Sequence, residues 1–343
     1  MANELIERYR AFVLQNRQLT PVFSHIAIPE KQNSFQYVGG QIFDGTLYAV
    51  INSAQKMMSC RLCDQSFHFS SSSFGEDDFK WTGGCFYQGI FYMFPRKSRD
   101  LLAYDPSCGR FETISCKTYY PGEHHYGGVC TKNGMIYQPP RNTNHILEWD
   151  VEKKSCESIT VNGGTNCRYC GSVIHPNGYI YMIPEKDAPV IKIEPETDRI
   201  FEIGGAVTGM AFNPMIAADG NIYGFRTKNG VLKIDTENDS VSILHEDIPI
   251  RAYGSKCAVN GKIYSLPGYT KDVWEFDPFE GSLRKCYALA EERKVHYAGG
   301  AIDRNGDIYA IPVHADSILK ISFNGSGIQI PEDIFDAFFH ECY

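Results

Sequence analysis

Residues 297–312 read Tyr-Ala-Gly-Gly-Ala-Ile-Asp-Arg-Asn-Gly-Asp-Ile-Tyr-Ala-Ile-Pro. The stretch contains a glycine pair behind an aromatic residue, an Asn-Gly dipeptide, a Gly-x-apolar-Tyr motif and a proline three residues after that tyrosine. Two short apolar runs joined by Asn305-Gly306 predict a β-hairpin, because this dipeptide readily adopts the positive φ angles of a tight turn. The same arrangement recurs along the chain, and this recurrence decides the fold.

Seven copies of the arrangement are present. Their leading glycines are residues 39, 83, 127, 171, 209, 254 and 299, at spacings of 44, 44, 44, 38, 45 and 45 residues. The Gly-x-apolar-Tyr motif occurs in every copy and ends at Tyr48, Tyr92, Tyr137, Tyr181, Tyr223, Tyr264 and Tyr309. A third strand ending in an acid and a fourth apolar stretch complete most copies. Four strands in a unit of about 40–50 residues predict one all-β domain, a seven-bladed β-propeller of four-stranded antiparallel blades.

On these markers the chain, from about residue 34 to residue 332, resembles the seven-bladed β-propeller proteins. The arrangement of aromatic residues and glycines in each unit is similar to that of kelch repeats. A kelch unit, however, carries its glycine pair on the second strand, and this chain carries it on the first. The units also resemble the blades of virginiamycin B lyase-like and NHL-type propellers. The resemblance implies the fold and transfers no functional residue, because the chain has no catalytic signature specific to one family.

The two ends of the chain lie outside the repeat. Leu5, Tyr9, Phe12 and Val13 have the spacing of one helical stripe, which predicts an amphipathic helix over residues 3–16. Residues 22–28 are a candidate extra strand that helps to close the ring. We therefore expect a helix and a lead-in strand in residues 1–33, the propeller in residues 34–332 and a helical tail in residues 333–343. The blades are predicted to start near residues 36, 80, 124, 168, 206, 251 and 296.

Composition narrows the possible partners. The 343 residues include 33 Lys or Arg and 41 Asp or Glu, a net charge of −8 that argues against nucleic-acid binding by bulk charge. No apolar run reaches the roughly 18 residues needed to span a membrane, and the charged N-terminus does not resemble a secretory signal. Twelve cysteines without such a signal predict free thiols and a cytoplasmic location.

No cofactor or metal is expected. The CxxC pairs Cys60/Cys63 and Cys167/Cys170 lie more than 100 residues apart. The first pair falls on a predicted strand, where residues i and i+3 point to opposite faces, so buried or half-buried thiols fit better than a zinc site. The glycine pairs recur in every blade and belong to the fold rather than to a phosphate-binding loop.

Residues at equivalent places in the repeats form rings in a propeller, and one ring is predominantly basic. Three residues before each leading glycine stand Gln36, Lys80, His124, Arg168, Ala206, Arg251 and His296. Adjacent positions and the loops on the same face add Trp81, His125, Tyr126, Tyr169, Tyr253, Tyr297, Arg96, Arg141 and Arg226. A basic, aromatic channel mouth on an acidic protein would concentrate its electric field on an anion.

We therefore expect an anionic small molecule or a short oligosaccharide at this mouth. Arginine binds carboxylate or phosphate in bidentate fashion, and tyrosine offers a stacking face and a hydroxyl. The predicted binding residues are Lys80, Trp81, Arg96, Arg141, Arg168, Tyr169, Arg226, Arg251 and Tyr253. The structural alternative is that these are solvated loop positions and that the tyrosines pack between blades.

Catalysis at this mouth is left open by the sequence. Histidine beside tyrosine and arginine suits a lyase acting by β-elimination, and the candidates are His124, His125, Tyr126, His296 and Tyr297. A serine hydrolase is less well supported, since no G-x-S-x-G motif occurs. The competing hypothesis is a non-catalytic propeller that serves as a platform for a partner protein. The fifth unit departs from the others through its 38-residue step and an apparent insertion at residues 213–218.

Overall fold

The computed structural model describes residues 2–29, 36–75, 77–117, 125–161, 168–185, 187–207, 209, 211–290, 295–325 and 327–339. Their strands form seven four-stranded antiparallel sheets, which are the blades of one propeller ring. The fold predicted from the repeat is thus confirmed. Among the described residues, no helix has the length and apolar character required to cross a membrane.

The chain begins with a helix and a strand that precede the first blade. Helix α1 is Ala2–Asn16 and strand β1 is Pro21–Ala27. Blade 1 consists of β2 (Tyr37–Phe43), β3 (Thr46–Ile51), β4 (Met58–Arg61) and β5 (Ser66–Phe69). Blade 2 consists of β6 (Trp81–Tyr87), β7 (Ile90–Pro95), β8 (Asp100–Asp105) and β9 (Arg110–Ser115). Blade 3 consists of β10 (Val129–Cys130), β11 (Met135–Gln138), β12 (His145–Asp150) and β13 (Ser155–Thr160).

The remaining blades repeat this order. Blade 4 consists of β14 (Tyr169–Ile174), β15 (Ile180–Pro184), β16 (Ala188–Glu194) and β17 (Arg199–Val207). Blade 5 consists of β18 (Met215–Ile216), β19 (Ile222–Phe225), β20 (Val231–Asp235) and β21 (Ser240–Leu244). Blade 6 consists of β22 (Ser255–Cys257), β23 (Ile263–Ser265), β24 (Asp272–Asp277) and β25 (Ser282–Ala288). The last three strands are β26 (Tyr297–Ile302), β27 (Ile308–Pro312) and β28 (Ser317–Phe323).

The N-terminal strand closes the ring. β1 pairs with β28 in antiparallel register from Pro21↔Phe323 to Ala27↔Ser317, and so becomes the outer strand of blade 7. The extra strand considered for residues 22–28 is therefore present, and the last repeat supplies only three strands of its own blade. Backbone hydrogen bonds between the two ends of the chain hold the ring shut.

The helical ends of the chain pack together over the hairpin turns of the blades. The C-terminal helix is a short turn, α2 (Glu332–Ile334), that continues as a π-helical turn at Phe335–Phe339. The ring of Tyr9 in α1 stacks on Phe338 with centroids 4.3 Å apart, and Arg8 donates a 3.0 Å hydrogen bond to Asp333. Because each inner strand runs from the predicted mouth to its hairpin turn, this helical cap lies on the opposite face.

The structure shifts the start of blade 5. Met215 pairs with Tyr223 as Gln41 pairs with Tyr48 in blade 1, so the residue equivalent to leading Gly39 is Asn213. Asn213 has a φ of 52° and takes the left-handed conformation that Gly39 adopts at 83°. The predicted marker at residues 206–210 lies four residues too early, because residues 206 and 207 end the outer strand β17 of blade 4. Asparagine tolerates positive φ, which allows it to replace the glycine.

The tyrosines of the Gly-x-apolar-Tyr motif stabilise the blades from within. Tyr223 donates a 2.8 Å hydrogen bond to Asp219, and Tyr264 donates one of 2.9 Å to Glu275. Burial, followed by the neighbouring carboxylate, raises the pKa of both hydroxyls. Burial also raises the pKa of Tyr92, to about 12. These hydroxyls therefore stay protonated in the folded protein well above the pH at which free tyrosine ionises.

Stability is expected to fall steeply at alkaline pH. The folded state holds these tyrosine protons more tightly than the unfolded chain does, so ionisation favours unfolding. The contribution is complete below pH 10 and is lost as the pH rises through the folded-state pKa, about 12 for Tyr92. Melting temperature and tyrosinate absorbance measured together should change in one transition. Full ionisation of all tyrosines near pH 10 in a protein that remains folded would contradict this.

Candidate ligand site at the channel mouth

Seven residues at the same place in the repeat surround the channel axis. Each comes directly before the leading glycine of its blade or, in blade 5, before Asn213. They are Val38, Thr82, Tyr126, Cys170, Phe212, Tyr253 and Ala298, and all are buried. Six of them, all except Thr82, belong to a single apolar cluster. Because those six come from six different blades, they can meet only near the axis. The inner end of the predicted mouth is therefore filled by side chains.

Two tyrosines from distant blades meet in this cluster. The hydroxyls of Tyr126 in blade 3 and Tyr253 in blade 6 are 3.2 Å apart. The ring of Phe212 in blade 5 lies 4.3 Å from that of Tyr253 and 5.2 Å from that of Tyr126. These three rings form the floor of the mouth. Tyr269, which is 49% exposed, makes an edge contact with Tyr253 at 5.6 Å and extends the aromatic surface towards solvent.

Two arginines contact the same floor residue. The guanidinium carbon of Arg96 lies 4.8 Å from the centre of the Tyr126 ring and 4.2 Å from that of Phe79. The guanidinium carbon of Arg141 lies 5.0 Å from the Tyr126 ring. Arg96 directly follows Pro95, the last residue of β7, and Arg141 directly follows Pro140, two residues beyond β11, so the two arginines occupy equivalent places in neighbouring blades. Such cation–aromatic contacts fix a guanidinium in place without neutralising it.

The equivalent residue of blade 4 is an acid that joins two arginines. Glu185 accepts hydrogen bonds from Nε and Nη2 of Arg141, at 2.9 and 3.4 Å, and lies 3.8 Å from Nη1 of Arg168. Burial lowers the pKa of Arg141, but the hydrogen bond and charge of Glu185 outweigh it and leave the pKa raised. Two guanidiniums thus share one carboxylate, and the trio keeps a net positive charge.

The tyrosines of the mouth are hydrogen-bond donors at neutral pH. Burial, with a further contribution from Tyr126, raises the pKa of Tyr253 well above its usual value. Burial likewise raises the pKa of Tyr269. A hydroxyl whose pKa is raised stays protonated at neutral pH, so these two can donate a hydrogen bond to an anion but cannot act as general bases without first losing a proton. We use the name mouth cluster for Arg96, Arg141, Arg168, Glu185, Tyr126, Tyr253 and Tyr269.

Comparison with known proteins supports the architecture. No sequence-family model matches the chain, and no curated protein matches it. A solved streptogramin B lyase superposes with a TM-score of 0.75 at 12% identity, over 89% of this chain and 98% of that chain. A catalytically inactive virginiamycin B lyase from Staphylococcus aureus with quinupristin gives 0.76 at 11% identity, over 88% and 99%. The chain is a seven-bladed β-propeller.

A second kind of protein also has this propeller. The extracellular domain of a hybrid two-component system from B. thetaiotaomicron superposes with a TM-score of 0.67 at 13% identity, over 89% of this chain and 43% of that chain. At such low identities the likeness shows the fold alone. Enzymes and sensor domains both use the fold, so function has to be argued from the site.

Three other predicted binding residues lie in different surroundings. Lys80 is 6% exposed, and its ammonium donates to the carbonyl oxygens of Asp77 at 2.7 Å and Gly75 at 3.4 Å. Arg226 is buried and donates to the carbonyl of Asn229 at 2.8 Å. Burial lowers the pKa of both side chains. Arg251 is exposed and has a φ of 50°. We leave these three outside the mouth cluster.

The aromatic residues two positions before the leading glycines bind backbone within the blades. The hydrogen bonds run from Tyr37 to the carbonyl of Lys56 (3.1 Å), from Trp81 to Asp100 (2.9 Å), from His125 to His145 (2.9 Å) and from Tyr169 to Pro189 (3.1 Å). The same contact at the same repeat position indicates a structural role. Trp81, His125 and Tyr169 are therefore not part of the mouth cluster.

Two predicted catalytic residues lie near blade 6, and one lies outside the described residues. The backbone N–H of His296 donates to Gly268 at 3.1 Å, and that of Tyr297 donates to Pro267 at 3.0 Å. The backbone of His296 is therefore bonded to the loop that carries Tyr269. The buried ring of His296 lies 6.4 Å from the ring of Tyr297. His124 is in the part of the chain that the structure does not describe.

Replacing Tyr169 by phenylalanine is expected to weaken the fold without affecting anion binding. The change removes the hydrogen bond to Pro189 and keeps the ring, which should lower the free energy of unfolding by about 1 kcal/mol. Denaturant unfolding and calorimetric titration of the same preparation test both halves of the prediction. Unchanged stability with a weaker anion affinity would instead place Tyr169 in the site.

Three residues of the site were missed from the sequence. Glu185 and Tyr269 lie in the loops that follow the second strands, as Arg96 and Arg141 do, but selection by basic charge excluded them. Phe212 was missed because the predicted register of blade 5 was displaced. Comparing the two residues after the proline in the five units that have it would have found Glu185 and Tyr269, and placing Asn213 at the leading position would have found Phe212.

Proposed function

We propose that the propeller binds an anionic small molecule or a short oligosaccharide at the mouth cluster. The observation that carries this proposal is the Arg141–Glu185–Arg168 trio beside the aromatic floor. Two cations share one anion there, so a second carboxylate or phosphate would complete the charge balance. Arg96, held over Tyr126, offers a further guanidinium on the same side.

The neighbouring tyrosines suit a ligand that also carries a ring or hydroxyls. Tyr253 and Tyr269 keep their protons and can donate hydrogen bonds to the anion or to sugar oxygens. The half-exposed ring of Tyr269 offers a face on which a sugar can stack. Fixed donors of this kind provide orientation, whereas the guanidiniums provide most of the affinity.

A titration with defined anions tests this function. Galacturonate, glucose 6-phosphate and adenosine monophosphate would each be titrated at constant ionic strength, with sodium chloride as the control. A specific anion at a free concentration of 100 times its Kd should raise the free energy of unfolding by about 2.7 kcal/mol, which appears as a rise in Tm. Equal responses to all three anions and to chloride would count against a specific site.

A lyase acting by β-elimination is a second candidate. His296 lies against the loop that carries Tyr269, and the fold is shared with two lyases. In this reaction His296 would take the proton next to the substrate carboxylate while Arg141 neutralises that carboxylate. The C–H electron pair forms a carbon–carbon double bond, and the oxygen on the next carbon leaves with a proton from water or a tyrosine hydroxyl.

The elimination hypothesis has its own assay. Oligogalacturonate and quinupristin would be incubated with the parent protein and with His296→Gln. Formation of a new conjugated double bond, followed by ultraviolet absorbance and mass spectrometry, should occur only with the parent. Binding of galacturonate without turnover of either probe would favour a non-catalytic binding protein.

The platform for a partner protein is less well supported. A protein-binding surface usually contains a contiguous exposed apolar patch. The large exposed hydrophobic residues among those described are Leu14, Val22, Phe43, Phe201 and Tyr269, which lie on four separate elements and one loop. Only Tyr269 belongs to the mouth cluster.

A further inference from the structure

Two cysteines at the outer strands of neighbouring blades lie in contact. Cys116 directly follows β9, the outer strand of blade 2, and Cys156 lies in β13, the outer strand of blade 3. Their sulfur atoms are 2.7 Å apart. A disulfide bond is about 2.05 Å long, so only a small approach separates this contact from a covalent bond.

The surroundings give the two thiols different access to solvent. Cys116 is fully buried in the apolar cluster that contains Ile114, Trp149 and Val151. Cys156 is only partly buried at the edge of the same cluster. A reagent in solution would therefore reach Cys156 first and would find Cys116 directly behind it. The backbone at Cys116 is held by a 3.1 Å hydrogen bond from Nε of Arg99.

Two other thiols of the propeller, Cys60 and Cys286, are poorly suited to exchange. Burial raises the pKa of Cys60 to about 11 and that of Cys286 to about 12, which keeps both protonated. The reactive species in disulfide exchange is the thiolate, so these residues should react slowly. Cys116 and Cys156, by contrast, already have their sulfur atoms in contact, and one of the two is reached by solvent.

We propose that Cys116 and Cys156 form a reversible disulfide between blades 2 and 3 when the protein meets a low-molecular-weight disulfide such as oxidised glutathione. The Cys156 thiolate attacks one sulfur of the oxidant and releases one glutathione thiol. Cys116 then attacks the Cys156 sulfur of the mixed disulfide and releases the second. Two protein thiols are oxidised, one glutathione disulfide is reduced to two thiols, and the two protons pass to them.

The bond would link two blades that together carry three of the seven residues of the mouth cluster. Arg96 belongs to blade 2, and Tyr126 and Arg141 belong to blade 3. The cross-link closes a loop of 40 residues and so restricts the unfolded chain. We expect the oxidised protein to melt about 3–6 °C above the reduced protein, given the usual effect of a disulfide on a chain of this size.

Mass spectrometry of the full chain tests the proposal. The protein would be treated with oxidised glutathione, blocked with iodoacetamide and digested without reduction. A cross-linked pair of peptides containing Cys116 and Cys156, two hydrogens lighter than their sum, is expected, and dithiothreitol should remove both the cross-link and the Tm increase. Cys130 is a partly buried thiol of the same cluster, so the control variant Cys130→Ser should keep the cross-link and the Tm increase. Cys156→Ser should lose both.

Two results would overturn the proposal. One is separate labelling of Cys116 and Cys156 by iodoacetamide after oxidation of the parent. The other is an equal Tm increase in Cys156→Ser, which would place the responsible cross-link elsewhere. Because neither measurement involves an anion at the mouth, the outcome is independent of the proposed function.

Discussion

Deletion of residues 2–27 is expected to abolish cooperative folding of the propeller. The deletion removes β1, so that β28 keeps its pairing with β27 but loses its outer antiparallel partner along its whole length from Ser317 to Phe323. It also uncovers Phe338, on which the ring of Tyr9 stacks. A protein of this kind is stable by only roughly 5–15 kcal/mol, which is less than the loss of a complete strand and a packed helix would cost. Circular dichroism during heating should show no sharp transition.

Two point variants separate strand pairing from a general effect of truncation. Ile26 is buried in the core between the blades, and Ile26→Ala should lower the free energy of unfolding by about 2–4 kcal/mol. Val22 lies on the same strand and is 51% exposed, so Val22→Ala should change it by less than about 0.5 kcal/mol. A truncated chain that melts cooperatively at the parent temperature would show that β1 does not close the ring.

Replacement of both Arg96 and Arg141 by alanine is expected to reduce anion affinity at least about 100-fold. Each guanidinium can make charge-assisted hydrogen bonds worth about 1.5–3 kcal/mol, and about 1.4 kcal/mol corresponds to a factor of ten. The loss should be larger for Arg141→Ala than for Arg96→Ala, because Arg141 also neutralises Glu185. Calorimetric titration with galacturonate or glucose 6-phosphate measures both effects.

A matched control uses an arginine far from the mouth. Arg61 lies at the end of β4 beside the hairpin turn of blade 1, and its side chain is 65% exposed. Arg61→Ala removes the same charge from the opposite face and should leave the affinity unchanged. A similar loss of affinity in Arg61→Ala and in the double variant would show that overall charge, rather than the mouth cluster, attracts the anion.

Most of the fold follows from the sequence because the repeat leaves a mark in every blade. Tight hairpins require residues that accept positive φ, and a strand near the axis has little room for side chains, so glycine recurs at fixed spacing. The exception is Asn213, which meets the same backbone requirement without being glycine. Ring closure could not be read from the repeat, because β1 lies nearly 300 residues from β28 and carries none of its markers.

The candidate site was harder to predict because neighbouring residues on one strand point in opposite directions. Tyr126 precedes a leading glycine and faces the axis, whereas His125, one residue earlier, bonds to backbone inside the blade. Both are aromatic, and the sequence assigned both to the mouth. Lys80 was selected for its charge, but the nearby carbonyl of Asp77 holds its ammonium. Local hydrogen-bond partners of this kind become visible only once the chain is folded.

The most direct test of the mouth cluster is a crystal structure of the parent protein with the tightest-binding anion of the panel. We predict that its carboxylate or phosphate lies within hydrogen-bond distance of the Arg141 guanidinium and close to Arg96, with the remainder of the molecule against Tyr269. An anion bound elsewhere on the propeller, with only solvent between Arg96, Arg141 and the Tyr126–Tyr253 floor, would contradict the proposed site.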